Sequence, residues 1–211
     1  MVNGELFELD VQLVPLTQYQ KQGFVFETAS ATGVPAAQIL MDNGETQFTF
    51  VADEQGNFLM TGVYESVYDI YVGAWGYHTL LLEDVVIDNN EDFIVELDKG
   101  YEDGFALDLG WITTADANVR AGFWERGEPI GTYSGANIGN PEFDMEGDLG
   151  DQCFVTGNAG GSISGDDLDG GEVVLISPAM QLASTYVSPV LEYNAWLFWV
   201  AETACPMILC L

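Results

Sequence analysis

The chain has 211 residues, 48% of them hydrophobic and 12% aromatic, with 24 glycines and 7 prolines, enough for one or two packed domains cut by many turns. Only 4 Lys and Arg stand against 34 Asp and Glu, a formal charge of -30 at pH 7, which repels phosphate backbones and excludes nucleic acid as a partner. A charge of that size must be solvated, screened by salt or neutralised by bound cations, and so points to a saline or calcium-containing medium.

The N-terminal MVNGELFELD has neither the basic nor the apolar stretch of a signal peptide, so an exported chain would carry its signal upstream. Residues 3–15, NGELFELDVQLVP, are similar in order and character to residues 89–101, NNEDFIVELDKGY. That similarity predicts residues 1–16 to be the terminal strand of a preceding module; the alternative is a chance likeness of two acidic strands. Further on, helical periodicity is nearly absent. Short runs of alternating apolar and polar residues, bounded by Gly, Asp, Asn or Pro, predict strands at 24–27, 37–41, 47–52, 58–61, 68–74, 79–87 and 93–97. Seven short strands so closely spaced predict an all-β fold, a small sandwich over residues 20–99. Alternation turns Val25, Ile39, Phe58, Ile70, Val72, Phe93 and Val95 inward.

The residues QGFVFETASATGVPAAQILMDNG and FTFVADEQGNFLMTGVYESVYDIYVGAWGYHTLLLEDVVI resemble the carboxypeptidase regulatory-like domain, a transthyretin-like sandwich. Its most specific elements are the turn from Ala52-Asp53 through Gly56-Asn57-Phe58, and Tyr68-Asp69-Ile70 followed by Gly76-Tyr77. In the second half, GFALDLGW (104–111), GFWERGEP (122–129), DLGDQCFVTGNAGG (148–161) and DDLDGGEVVLISP (166–178) are similar to MAM-like jelly rolls of secreted bacterial peptidases and cell-surface proteins. The resemblance implies a partial jelly-roll sandwich over residues 103–211. The tandem order resembles the C-terminal accessory regions of secreted bacteroidetes peptidases.

The tail, WLFWVAETACPMILCL, is apolar but holds Glu202 and Pro206 and is shorter than the roughly 20 apolar residues that span a bilayer. No membrane span is expected. A truncated or frame-shifted reading frame is the expectation, leaving Trp196 and Trp199 on a strand without partners. Three cysteines, Cys153, Cys205 and Cys210, allow one bridge and no zinc site.

The inventory for catalysis is poor. His78 is the single histidine, expected on a strand beside Tyr77; no nucleophile motif accompanies it and no zinc ligand set exists. The acids lie in Gly-rich polar loops, where nothing is expected to raise a carboxyl pKa for glycoside hydrolysis. No enzyme is expected.

Calcium suits those loops, because hard cations take carboxylate and carbonyl oxygens and glycine lets the backbone converge. Residues 144–151, DMEGDLGD, and 166–171, DDLDGG, have that composition, although neither has EF-hand spacing. MAM-like domains place a calcium between an acidic D-F-E context and the acidic turn before the strand holding Cys153 and Phe154. The resemblance therefore implies Asp103, Asp108, Asp144 and Asp148 as ligands, with Ala106 where a glutamate is expected. Asp166, Asp167 and Asp169 form a second candidate site. Trp111 and Trp124 are expected in the core rather than on a sugar-stacking platform, and Arg120 and Arg126 are expected to pair internally with acids.

These observations together predict a non-catalytic accessory region of a larger secreted or cell-surface protein, with a peptidase as the expected parent. Its partners would be an extracellular protein, a polysaccharide or the parent's catalytic domain. The alternatives are a structural or adhesive repeat protein, separable by the modules upstream, and a carbohydrate-binding module, separable by an exposed aromatic platform.

Overall fold

The structure, a computed structural model, describes residues 14–163, 167–182 and 187–197, and the backbone of 207–210. The described residues form strands, turns and loops, with no helix. The proposed terminal strand at 1–16 lies almost wholly outside the described residues; Val14 and Leu16 are exposed and belong to no strand.

Seven strands build the first half: β1 (Gln18–Glu27), β2 (Gln38–Asp42), β3 (Gln47–Val51), β4 (Asn57–Tyr64), β5 (Ser66–Gly73), β6 (Leu80–Ile87) and β7 (Phe93–Leu97). They form two sheets, β4-β1-β7 and β3-β2-β5-β6, in which β1 and β7 run parallel and the other pairs antiparallel. The period-two pattern has its expected effect. Val25, Ile39, Phe58, Ile70, Val72 and Val95 are buried between the sheets, and Phe93 packs against them.

The turn at 53–57 shows why its residues are needed. Oδ1 of Asp53 accepts hydrogen bonds from the backbone N–H of Gln55 (2.9 Å) and Asn57 (2.8 Å). Gly56 has φ +84°, and a Cβ there would lie 2.3 Å from the carbonyl oxygen of Val25, so only glycine fits. Lys21 is buried on β1 and donates through Nζ to Oδ1 of Asn89 (2.8 Å) and the carbonyl of Glu91 (3.1 Å), which ties the β6–β7 connection to the first strand.

The second half is assembled from smaller sheets. β8 (Ile112–Ala115) pairs with β14 (Val173–Ile176); β10 (Thr132–Ser134) lies between β11 (Asn137–Ile138) and β13 (Gly161–Ser162). β9 (Trp124–Gly127), β12 (Cys153–Thr156), β15 (Asn194–Leu197) and β16 (Met207–Cys210) form a four-stranded sheet in the order β15-β16-β12-β9. Trp196 therefore sits on a partnered strand, which corrects the expectation of a strand left alone. It is partly covered, and its Nε1 donates to the carbonyl of Gly139 at 2.6 Å. All of β12 is buried, and Cys153 within it carries a free thiol.

Phe58 is the plug of the first core. Its ring lies edge-on to Phe93 at 6.4 Å, and a Cβ on Gly23 would come within 2.1 Å of its Cζ. Phe58→Ala is expected to lower stability by about 3–5 kcal/mol through lost transfer energy and a cavity, and Gly23→Ala to destabilise by displacing the same ring. Denaturant unfolding of both variants measures this; a loss under about 1 kcal/mol for Phe58→Ala would remove the residue from the core.

Candidate functional site

The chain leaving β7 dives into the second half rather than skirting it. Asp103, Phe105, Ala106, Leu107 and Leu109 are all buried. Asp103 is 4% exposed, and both its oxygens are engaged: Oδ1 accepts from the N–H of Phe105 (2.9 Å) and Oδ2 from Nε1 of Trp111 (2.8 Å). Burial pushes its carboxyl pKa up, while the Trp111 and Phe105 hydrogen bonds and the positive charge of Arg126 pull against that rise.

Around this carboxylate the aromatic side chains interlock. Phe105 meets Trp111 at 5.4 Å and Phe154 at 5.0 Å, both edge-on, and Trp75 from the β5–β6 connection meets Trp111 at 6.0 Å and Tyr101 at 5.3 Å. Trp111 and Trp124 join this cluster half buried. Trp75, which sequence reasoning passed over, connects the two halves; its Nε1 donates to the carbonyl of Ala179 at 3.0 Å. Gly73 allows the close approach, since a Cβ there would lie 2.9 Å from Cδ1 of Leu107.

One face of this bent segment meets the acidic turn at 144–151. A Cβ on Gly104 would lie 3.0 Å from the carbonyl of Leu149 and 3.4 Å from Oδ2 of Asp148, so glycine admits the turn. Both carboxylate oxygens of Asp148 are shielded from solvent, and neither has a hydrogen-bond partner in good geometry. Burial, and then the charge of Asp144, push the Asp148 pKa up to about 6, against a weaker pull from its own backbone N–H. This overturns the expectation that nothing in these loops raises a carboxyl pKa. Oδ1 of Asp144 accepts from the N–H of Met145 at 2.7 Å.

Of the four carboxylates expected to gather here, the structure sets Asp144 and Asp148 side by side, while Asp103 is committed to Trp111 and Phe105. Asp108 is exposed, and its Oδ1 accepts from the N–H of Gly110 at 3.3 Å. Among the described residues no three His, Cys, Asp or Glu side chains are grouped to hold a metal, so a cation at this turn would draw further ligands from backbone carbonyls and water.

At the second candidate loop, Asp166 lies outside the described residues. Asp169 works through its backbone: its N–H donates to Ala121 (3.2 Å) and its carbonyl accepts from Arg120 (2.9 Å). Arg126, exposed on β9, donates through Nη1 to the carbonyl of Phe105 at 2.7 Å. His78 lies between β5 and β6 rather than on a strand, exposed, with Nδ1 2.8 Å from Oε2 of Glu102. Among the described residues its ring is paired with the Glu102 carboxylate.

The fold is thus all-β and sandwich-like. No known protein family matches the sequence, and no curated protein does. Solved structures do resemble it. A DUF3823 family protein from Bacteroides ovatus is 11% identical, with 91% of this chain and 95% of that chain covered and a TM-score of 0.34. A candidate carbohydrate-binding protein from Bacteroides uniformis is 12% identical, with 48% and 46% covered and a TM-score of 0.33. A cohesin–X-dockerin complex from Acetivibrio cellulolyticus is 17% identical, with 41% and 65% covered and a TM-score of 0.33. The chain spans less than two thirds of the length of the last two. No helix among the described residues is long and apolar enough to cross a membrane.

Because the folded pKa of Asp148 stands above the ordinary aspartate value, the folded state holds its proton at pH values where the unfolded chain has lost it. Its contribution to stability is present below the unfolded value and is lost as pH rises through about 6. Asp148→Asn is therefore expected to raise the Tm of the metal-free protein more near pH 7 than near pH 4. Thermal melts at the two pH values check this, and an equal difference at both would show that Asp148 does not titrate with folding.

Proposed function

We propose that the chain is a non-catalytic accessory and binding region of a larger secreted or cell-surface protein, in which calcium braces the second half at the 144–151 turn. Residues 20–99 are the carboxypeptidase regulatory-like sandwich and 103–211 the MAM-like jelly roll. The tandem order makes a secreted peptidase the parent and an extracellular protein or polysaccharide the partner.

The observation that carries the calcium reading is Asp148. A carboxylate with two shielded oxygens and no good donor, held beside the charge of Asp144 in a chain of net charge -30, is costly unless a cation accepts its lone pairs. The residues fit the ion. Asp144 and Asp148 would supply carboxylate oxygens, and the turn carbonyls would supply more, within the 6–8 that calcium takes. When bound, the ion neutralises the pair and fixes the turn against Gly104. Asp103 serves on this reading as the brace of the facing segment, through Trp111 and Phe105. Ala106 offers no carboxylate, which sets the affinity towards the weak extracellular range of about 10⁻⁴–10⁻³ M.

Thermal unfolding of the full chain in millimolar calcium, in magnesium at matched ionic strength and in chelator tests this. Millimolar calcium, at about one to ten times a dissociation constant in that range, is expected to stabilise by about 0.4–1.4 kcal/mol, and Asp148→Asn to abolish the gain. Equal midpoints in all three conditions would sink the calcium reading; equal gains from both cations would reduce it to charge screening.

A further inference from the structure

The same pleat that buries Ile39 and Met41 turns Gln38, Leu40 and Asp42 to the outer face of sheet β3-β2-β5-β6. Leu40 is flanked in register by Thr49 on β3 and Tyr71 on β5, which together make a floor across three strands. The second half supplies the opposite wall, from residues 106–108, residues 150–152 and Arg126, and the cleft between them measures about 810 Å³. That lies within the range of about 300–1,000 Å³ typical of ligand sites. Both walls are fixed in place. Leu107 packs over Gly73, Nε2 of Gln38 donates to the carbonyl of Asp108, and Arg126 is held by the carbonyl of Phe105.

The lining has a specific chemical character. Three of its four carboxylates accept hydrogen bonds from neighbours: Asp42 from the N–H of Gly44 and Nε2 of Gln47, Asp151 from Nε2 of Gln152, and Asp108 from the N–H of Gly110; the fourth is Glu128. Beside them stand the amide oxygens of Gln38, Gln47 and Gln152 and the hydroxyls of Thr49 and Tyr71, groups that match a partner able both to donate and to accept. Sugar hydroxyls do both. Leu40 and the half-buried ring of Tyr71 add an apolar surface of the kind that meets the C–H face of a pyranose. The phenol is kept protonated by burial and by the charges of Asp69, Asp151, Asp42 and Glu83, and the same charges repel phosphates and uronates. A basic peptide is the competing occupant, drawn by the four carboxylates of the lining and opposed by the guanidinium of Arg126.

We propose that this cleft between the two halves binds a neutral oligosaccharide, with Tyr71 and Leu40 as the stacking floor and the surrounding amides and hydroxyls as the polar contacts. The proposal rests on the reading of the chain as a binding module and names its ligand class; it does not require calcium.

The test begins with the full chain on an array of neutral glycans, followed by calorimetric titration of the bound neutral oligosaccharide into the protein and into two variants. Thr49→Trp adds bulk at an exposed position and fills the cleft, and Tyr71→Ala removes the stacking ring without touching the inner face. Uronate-bearing oligosaccharides and a lysine-rich peptide serve as charged comparisons. Binding of a neutral glycan, weakened at least about tenfold in both variants while their thermal melts stay cooperative, is the expected result. Absence of any neutral glycan, equal affinity in both variants, or preference for the uronate or the lysine-rich peptide would overturn the proposal. Titration in chelator separates the two readings, since glycan binding there supports the cleft even if calcium leaves the Tm unchanged.

Discussion

The carboxylate of Asp103 is the interaction on which the rest of the molecule turns. A buried carboxylate without partners is destabilising by several kcal/mol, and here Trp111, the Phe105 N–H and the nearby guanidinium of Arg126 meet it. In doing so they fix three things at once. Trp111 is set where Trp75 and Phe154 can pack against it, Gly104 is held against the acidic turn, and residues 106–108 are laid along the outer face of the first sandwich. The acidic turn and the cleft lie on two sides of one segment, and that segment is positioned by one side chain.

The scarcity of cations sharpens this arrangement. Of the 4 Lys and Arg, Lys21 closes the β6–β7 connection onto β1, Lys99 pairs with the largely covered Glu27 at 2.7 Å, and Arg126 caps Phe105 beside Asp103. Lys99 and the Lys21 ammonium fasten the sandwich; Arg126 fastens the junction. The Lys21 ammonium, covered by the β6–β7 connection, is less screened than a surface charge, and all three cations sit where they hold chain segments together.

How much of this was legible in the sequence depended on range. The seven strands of the first half followed from period-two alternation, a local property, and the 53–57 turn from Asp53 and Gly56, whose roles are set by their immediate neighbours. The elevated carboxyl of Asp148 was not legible, because it comes from the burial of the folded turn, which packs near the distant Gly104, and from the charge of Asp144. For the same reason Asp103 reads as one more loop acid until Trp111 is seen to reach it. Trp196 misled in the other direction: its strand is completed by β16, and no local pattern around residue 196 announces that pairing. The cleft residues left no signal at all, since Gln38, Leu40, Thr49 and Tyr71 are ordinary outward positions of strands until the second half covers them.

The parallel pairing of β1 with β7 also governs the order in which the chain can fold. Residues 23–27 find their partners at 93–97, so the central strand of one sheet stays half paired until nearly all of the first half has left the ribosome. Contacts of such long sequence separation form late and slowly, and until they form, Val25 and the edge of β1 are open to other chains. Lys21, anchored to the connection that delivers β7, then acts as a latch on closure: the sheet is completed and the ammonium is covered in the same event.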